Sequence, residues 1–295
     1  MINYFKSLRP HHWVKNGFIF LPLFFAQRFG DVAALLNCAI VFLGFSLVAS
    51  SIYIINDIKD IEQDKLHPRK CKRPIASGAV TTRQGMILSA LSLLSGLAIV
   101  GFGMQNVLLT GVVFFYFLMN LAYTLRLKRY AIIDVMIIAI GFVLRIMVGG
   151  IAVDVELSSW IILMTFLLAM FLGFAKRRDD VLIIKNGGIQ ARENIVRYNE
   201  GFIDSVLVMT AAITIVAYIM YCMSPEVEQR MGSDKVYITS IFVIAGIIRY
   251  LQRTMVDETS GNPTRLMMSD RFLQLIVIGW IFAFVVIIYI SKYFS

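Results

Sequence analysis

The chain predicts an all-α polytopic membrane protein with about nine transmembrane helices, on three observations. Of its 295 residues, 58% are apolar and only 16% are charged, with a mean hydropathy of +0.75. That leaves too little polar surface to coat a soluble globule. The apolar residues gather into runs of about 17 to 25, the length that crosses a bilayer as a helix. Lysine and arginine fall on alternate loops between those runs. Lipid provides no partner for an unpaired backbone, so each run is expected to be helical. Residues 1–295 are read as one transmembrane domain.

In order, the expected spans are Trp13 to Phe29, Val32 to Ile55, Gly85 to Phe102, Val107 to Leu125, Ala131 to Val153, Trp160 to Ala175, Ser205 to Met223, Val236 to Leu251 and Phe272 to Ile290. The first has a basic start and an apolar middle, but Pro22 interrupts it and no small-residue cleavage site follows, so it is read as a span and not as a signal peptide. Cys38, Cys71 and Cys222 are scattered, and neither a disulfide framework nor a thiolate metal site is implied. Of the 28 basic residues, 23 lie before the first span or at its edge (Lys15), or in the loops within 59–83, 126–129, 176–197 and 249–271. The positive-inside rule puts that side in the cytoplasm, with the amino terminus. A multi-pass protein of the inner or plasma membrane is expected, with no nucleic-acid partner.

The same loops carry the acidic clusters, which places the active site on the cytoplasmic side. Asn56-Asp57-Ile58-Lys59-Asp60-Ile61-Glu62-Gln63-Asp64 sets Asp57, Asp60 and Asp64 at i, i+3 and i+7 where an apolar run ends. On a continuous helix they share one face and repel one another unless a cation sits against them. Only oxygen donors are on offer, which favours Mg²⁺ over Zn²⁺, and Mg²⁺ held by carboxylates carries phosphates on its open positions. The cationic turn 67–78 follows, with Lys70 and Arg73, the company expected of a departing diphosphate.

A second group, Lys176-Arg177-Arg178-Asp179-Asp180, stands where the sixth span is expected to meet the cytoplasm. Tyr123, Lys128 and Arg129 close the fourth span. Asp134 opens the fifth, and Arg145, eleven residues on, lies on the same face about 16 Å along the helix. An intramembrane arginine is expensive, so Arg145 is expected to face a polar cavity. The segment 257–264, followed by Ser269-Asp270-Arg271, reads as a connector, and His11, His12 and His67 have no metal-ligand spacing.

These residues resemble the UbiA-type intramembrane prenyltransferase superfamily. Its NDxxDxxxD motif appears as Asn56, Asp57, Asp60 and Asp64, its RPxxSG continuation as Arg73-Pro74-Ile75-Ala76-Ser77-Gly78, and its tyrosine-then-basic pattern as Tyr123 with Lys128-Arg129. Within it the chain is most similar to the decaprenyl-phosphate phosphoribosyltransferase subgroup. The stretches that carry this likeness are 9–16, which includes Lys15 and Asn16, 134–145, 175–178, and Gly261-Asn262-Pro263-Thr264 with Ser269-Asp270-Arg271. Members that act on aromatic acceptors carry an aspartate-rich second motif, whereas this chain has Lys176-Arg177-Arg178 there. The subgroup's KRR is followed by one residue and Glu; here Asp179-Asp180 stands in its place.

The resemblance implies nine helices around a central cavity and transfer of 5-phosphoribosyl from phosphoribosyl pyrophosphate to a polyprenyl phosphate. Asp57, Asp60 and Asp64 then hold Mg²⁺, Asp180 adds a second contact, and Asn56 positions the diphosphate. Lys15, Lys128, Arg129 and Arg145 are candidates for the lipid phosphate or the ribose 5-phosphate. Lys70, Arg73 and Lys176 to Arg178 are candidates for the diphosphate. The alternative reaction moves a prenyl group from a prenyl diphosphate to an aromatic acceptor. A transporter is disfavoured, because the acids cluster on one side instead of at mid-membrane.

Overall fold

The computed structural model describes all residues except 1, 29, 69, 188–192, 259–262 and 295, and side chains except at those positions and at 263–265 and 290–294. The Gly261-Asn262 part of the expected connector lies outside the described residues. Among them every regular element is helical. The α-helices are α1 (Ile2–Ser7), α2 (Leu21–Phe25), α3 (Val32–Lys59), α4 (Ile61–Leu66), α5 (Thr82–Met104), α6 (Val107–Leu125), α7 (Ile133–Ala152), α8 (Ser159–Lys185), α9 (Glu200–Cys222), α10 (Pro225–Met231), α11 (Ser240–Met255), α12 (Pro263–Ser269) and α13 (Arg271–Phe294). Eight helical segments, built on α3, α5, α6, α7, α8, α9, α11 and α13, are long and apolar enough to cross a membrane. Side-chain oxygens close several amino termini: Asp31 accepts from Ala34 N–H, Thr81 and Gln84 form a reciprocal capping box, and Asn106, Ser158 and Asn199 each accept from the N–H three residues on.

The expected first span differs from the rest. Pro10–Phe20 winds as a 3-10 helix and passes directly into the five-residue α2. Proline explains the change: Pro10 starts the segment, and Pro22 has no N–H to offer the Phe18 carbonyl four residues back, so a continuous α-ladder cannot form. The tighter coil rises about 2 Å per residue, so these 16 residues sum to roughly 30 Å, the thickness of the hydrocarbon layer. Two other boundaries move. The expected sixth span ends at Ala175, but α8 continues to Lys185, so Lys176 to Asp180 lie within a helix and not at its end. The eighth begins as a short 3-10 turn, Val236–Thr239, ahead of α11.

The chain divides into two compact units, Met1–Lys128 with Ile140–Leu157, and Arg129–Ala139 with Ser158–Ser295. In the first, α3 packs along α5 at near backbone contact. A Cβ on Gly44 would stand 2.8 Å from the Gly96 carbonyl oxygen, and one on Gly96 would stand 2.6 Å from that of Gly44. Small residues at a helix crossing permit this approach where lipid provides no hydrophobic drive. A core of Val41, Phe45, Val48, Val113, Tyr116 and Val148 joins α3, α6 and α7. In the second unit, α8 packs along α9, and Phe171, Phe174, Tyr198, Ile203, Leu207 and Tyr250 form its core.

Candidate active site

The acidic motif sits at the end of α3, in the first unit. The three aspartates do not share one continuous helix face, as the spacing alone implies. Asp60 leaves helical geometry (φ −95°, ψ 12°) and breaks α3 from α4, so Asp57 lies in the last turn of one helix and Asp64 in the next. The break relieves the repulsion of stacked carboxylates. It also divides the trio. Asp57 and Asp64, each 2% exposed, converge on one nitrogen of Arg73, at 3.0 and 2.5 Å. Asp57 also pairs with Arg9, and Asp64 with Lys70 at 3.9 Å. Asp60 turns to Lys128 at 2.7 Å and accepts a hydrogen bond from the Asn56 amide at 3.0 Å. Four cations thus face three carboxylates, a surplus of positive charge that suits a polyanionic ligand.

Among the described residues no three His, Cys, Asp or Glu side chains stand close enough together to hold a metal ion. The donors nevertheless fit one. Two carboxylate oxygens already point at a single shared cation, the Arg73 guanidinium, and oxygen ligands are what Mg²⁺ prefers. His67, just beyond α4, is held below its ordinary pKa by burial and by the neighbouring Lys70, which keeps it neutral beside this cluster.

Arg9 is the residue that sequence reasoning valued least. It counts there as a topology charge at the head of a subgroup stretch. In the structure it occupies the left-handed region (φ 52°, ψ 57°), uncommon for a side-chain-bearing residue, and reaches Asp57 while its guanidinium lies 5.5 Å from the Tyr53 ring centroid. Nothing in its sequence position, 48 residues from Asp57, marks it as that carboxylate's partner.

Deeper along α3, Asn16 is 1% exposed and donates to Ser46 Oγ at 2.8 Å, while Trp13 donates to Ser50 Oγ at 3.0 Å. Arg145 donates through Nε to Asn16 Oδ1 (2.8 Å) and through its terminal nitrogens to the Gly141 carbonyl (2.6 Å) and the Tyr116 hydroxyl (2.9 Å). Phe45, Tyr116 and Phe142 surround it at 5.0–5.3 Å. Arg145, expected to face a polar cavity, is 5% exposed, and neutral oxygens and ring faces compensate its buried guanidinium. Lys15, on the same 3-10 segment, is half-buried and has no hydrogen bond or ion pair among the described residues. Tyr123 is half-buried near the end of α6.

In the second unit, Arg177 and Arg178 are 1% and 3% exposed. Arg177 donates to Asp134 at 2.7 Å and to Asp180 at 3.2 Å; the Tyr198 hydroxyl donates to Asp134 at 2.9 Å and accepts from the Ile132 N–H. Arg178 binds Asp204 (2.6 Å), Glu200 (3.3 Å) and the Thr254 carbonyl, joining α8 to α9 and α11. Lys176 and Arg129 are exposed. The sequence did not single out Tyr198, Glu200 or Asp204 as partners for these arginines, because nothing in their spacing marks them.

The sequence profile of the UbiA prenyltransferase family matches residues 18–276. The chain is 30% identical to a decaprenyl-phosphate phosphoribosyltransferase of Corynebacterium glutamicum, over 98% of this chain and 87% of that one, and 30% identical to one of Mycolicibacterium smegmatis, over 97% and 92%. Its fold is similar to that of a UbiA homolog from Archaeoglobus fulgidus solved with GPP and Mg²⁺ (TM-score 0.72, 18% identity, 97% of this chain and 99% of that one). The chain belongs to the UbiA prenyltransferase family and is a multi-pass membrane transferase.

Proposed function

We propose that the chain transfers the 5-phosphoribosyl group of phosphoribosyl pyrophosphate to a polyprenyl phosphate of the decaprenyl type, releasing pyrophosphate, at the cytoplasmic face of the plasma membrane. One observation carries this reading: the carboxylates of the family motif are interleaved with a surplus of arginine and lysine, centred on Arg73 between Asp57 and Asp64. The near full-length similarity to named phosphoribosyltransferases of polyprenyl phosphate supports the choice of substrates.

Asp57 and Asp64, with Asp60 beside them, would hold Mg²⁺, which neutralises the leaving diphosphate when bound. Arg9, Arg73, Lys70 and Lys128 exchange their carboxylate partners for diphosphate oxygens, and Asn56 fixes the orientation of Asp60. The C1–O bond to the diphosphate breaks as a lipid phosphate oxygen bonds to C1. That oxygen is already anionic at neutral pH, so alignment matters more than a general base. Arg177, Arg178, Asp134 and Asp180 act here as fasteners of the second unit, because their partners are the helices themselves.

The test supplies labelled phosphoribosyl pyrophosphate with polyprenyl phosphates of several lengths. Pyrophosphate release that requires both substrates supports the proposal. Release from a prenyl diphosphate with an aromatic acid would instead establish the second reaction, the one the family name describes. Asp57→Asn is expected to lower turnover by a hundredfold or more, to judge by roughly 10²–10³ for loss of one group stabilising transition-state charge, while the protein remains folded in the membrane.

A further inference from the structure

We infer that Arg73 acts as an internal counter-cation for the acidic motif, with Lys128 assisting, so that divalent metal and diphosphate bind as a coupled pair and each binds weakly alone. This coupling rests on the reading of Asp57, Asp60 and Asp64 as metal ligands given above, and it holds whichever donor carries the diphosphate.

One nitrogen of Arg73 lies between two carboxylates that are each 2% exposed, 3.0 Å from Asp57 and 2.5 Å from Asp64. It does for them what a bridging cation does. Asp60 faces Lys128 instead, at 2.7 Å, and the Asn56 amide holds it there. The trio is thus divided among the chain's own cations, and among the described residues no three His, Cys, Asp or Glu side chains stand close enough to hold a metal ion. A metal that arrives alone has to displace Arg73 from two carboxylates and Lys128 from the third. The displaced groups then keep their charge beside a dication, with no anion in exchange.

Diphosphate removes that obstacle. Its oxygens take the guanidinium and the ammonium as the carboxylates release them. Diphosphate alone meets the converse difficulty, because the cations that suit it are already engaged, and drawing them off would strand the buried Asp57 and Asp64. Each ligand supplies what the other displaces. The exchange needs only side chains to move. The Arg73 N–H donates to the Lys70 carbonyl, the Arg73 carbonyl accepts from the Ser77 N–H, and Ile75 and Val80 pack with Ile54 of α3, so the turn that carries Arg73 is fixed. Arg73 and Lys128 keep 26% and 25% of their side chains exposed, which leaves room for them to swing.

The experiment follows binding of Mn²⁺, a paramagnetic stand-in for Mg²⁺, to the full chain in nanodiscs of zwitterionic lipid, at fixed free Mn²⁺, with and without inorganic pyrophosphate. For wild type, pyrophosphate should raise Mn²⁺ affinity by about tenfold or more, and by linkage Mn²⁺ should raise pyrophosphate affinity by the same factor. Arg73→Gln should tighten Mn²⁺ binding without pyrophosphate by about tenfold, since a charged competitor for two carboxylates is gone, and should shrink the coupling. Lys128→Gln should act in the same direction by a smaller factor, because Asp60 keeps Asn56. Lys72→Gln removes an equal charge from the same turn, but Lys72 is exposed and has no hydrogen bond or ion pair among the described residues. It should change Mn²⁺ affinity by less than about twofold. Equal tightening by Lys72→Gln and Arg73→Gln would reduce the effect to net charge and overturn the coupling. So would a wild-type Mn²⁺ affinity that pyrophosphate leaves unchanged, an outcome that spares the metal reading. No binding of Mn²⁺ in either condition overturns the metal reading itself, and the coupling with it. The wild-type comparison and Lys128→Gln decide the matter should Arg73→Gln fail to fold.

Discussion

Both units set arginines against carboxylates, yet they do so in different ways. In the first, Arg9, Arg73 and Lys128 keep 13–26% of their side chains exposed, and cations outnumber acids. In the second, Arg177 and Arg178 keep 1% and 3%, and each is tied to partners on neighbouring helices or on its own. A half-open pair can trade one anion for another at modest cost. A closed pair cannot, because removing one member strands a buried charge. Similar residue types are therefore arranged openly enough to suit exchange in one unit and closed as fasteners in the other.

The comparison breaks if the two arginine groups respond alike to mutation. Arg177→Gln leaves Asp134 buried and unpaired, and should cost about 3–5 kcal/mol of stability, seen as early thermal unfolding in detergent. Arg73→Gln should lower the melting temperature less than Arg177→Gln does, because Asp57 keeps Arg9 and Asp64 keeps Lys70 as partners, and should abolish most pyrophosphate release. Equal melting points for the two variants would show that burial does not separate them.

A smaller effect sharpens the contrast through pH. Asp270, between α12 and α13, is buried, which by itself raises a carboxyl pKa. Hydrogen bonds from Arg249 and the Leu273 N–H, with the charges of Arg249 and Arg253, outweigh burial and hold it below the usual carboxylate range. A depressed folded value means stability that is present above the unfolded pKa of about 4 and lost as pH falls through the folded one. Asp270→Asn should lower stability at neutral pH and flatten the acid limb of the melting-temperature profile. An acid limb of unchanged slope would remove Asp270 from the fasteners.

Much of this was legible in the sequence. Hydropathy located the eight long helical segments because lipid enforces helices on apolar runs. The motif's company of cations was visible too. What spacing could not reveal was the break at Asp60, where repulsion among like charges overrides helical continuity, or the 3-10 winding imposed around Pro10 and Pro22. Nor could it tell that Arg145 would be satisfied by neutral oxygens and ring faces while Lys15, one residue before Asn16, would have no hydrogen bond or ion pair among the described residues. Such outcomes depend on which neighbours arrive from distant helices.

The amino-terminal segment is pinned at Ile19. Its carbonyl accepts from the Cys38 thiol at 3.9 Å, and a methyl group on Gly149 would come within 2.1 Å of it. Lys15 is metered from that pin, four residues back along a coil with three residues to the turn. A single deletion between them would swing the ammonium through about 120° and shift it by about 2 Å, so the register of this short stretch is as strict a requirement as any side chain in it.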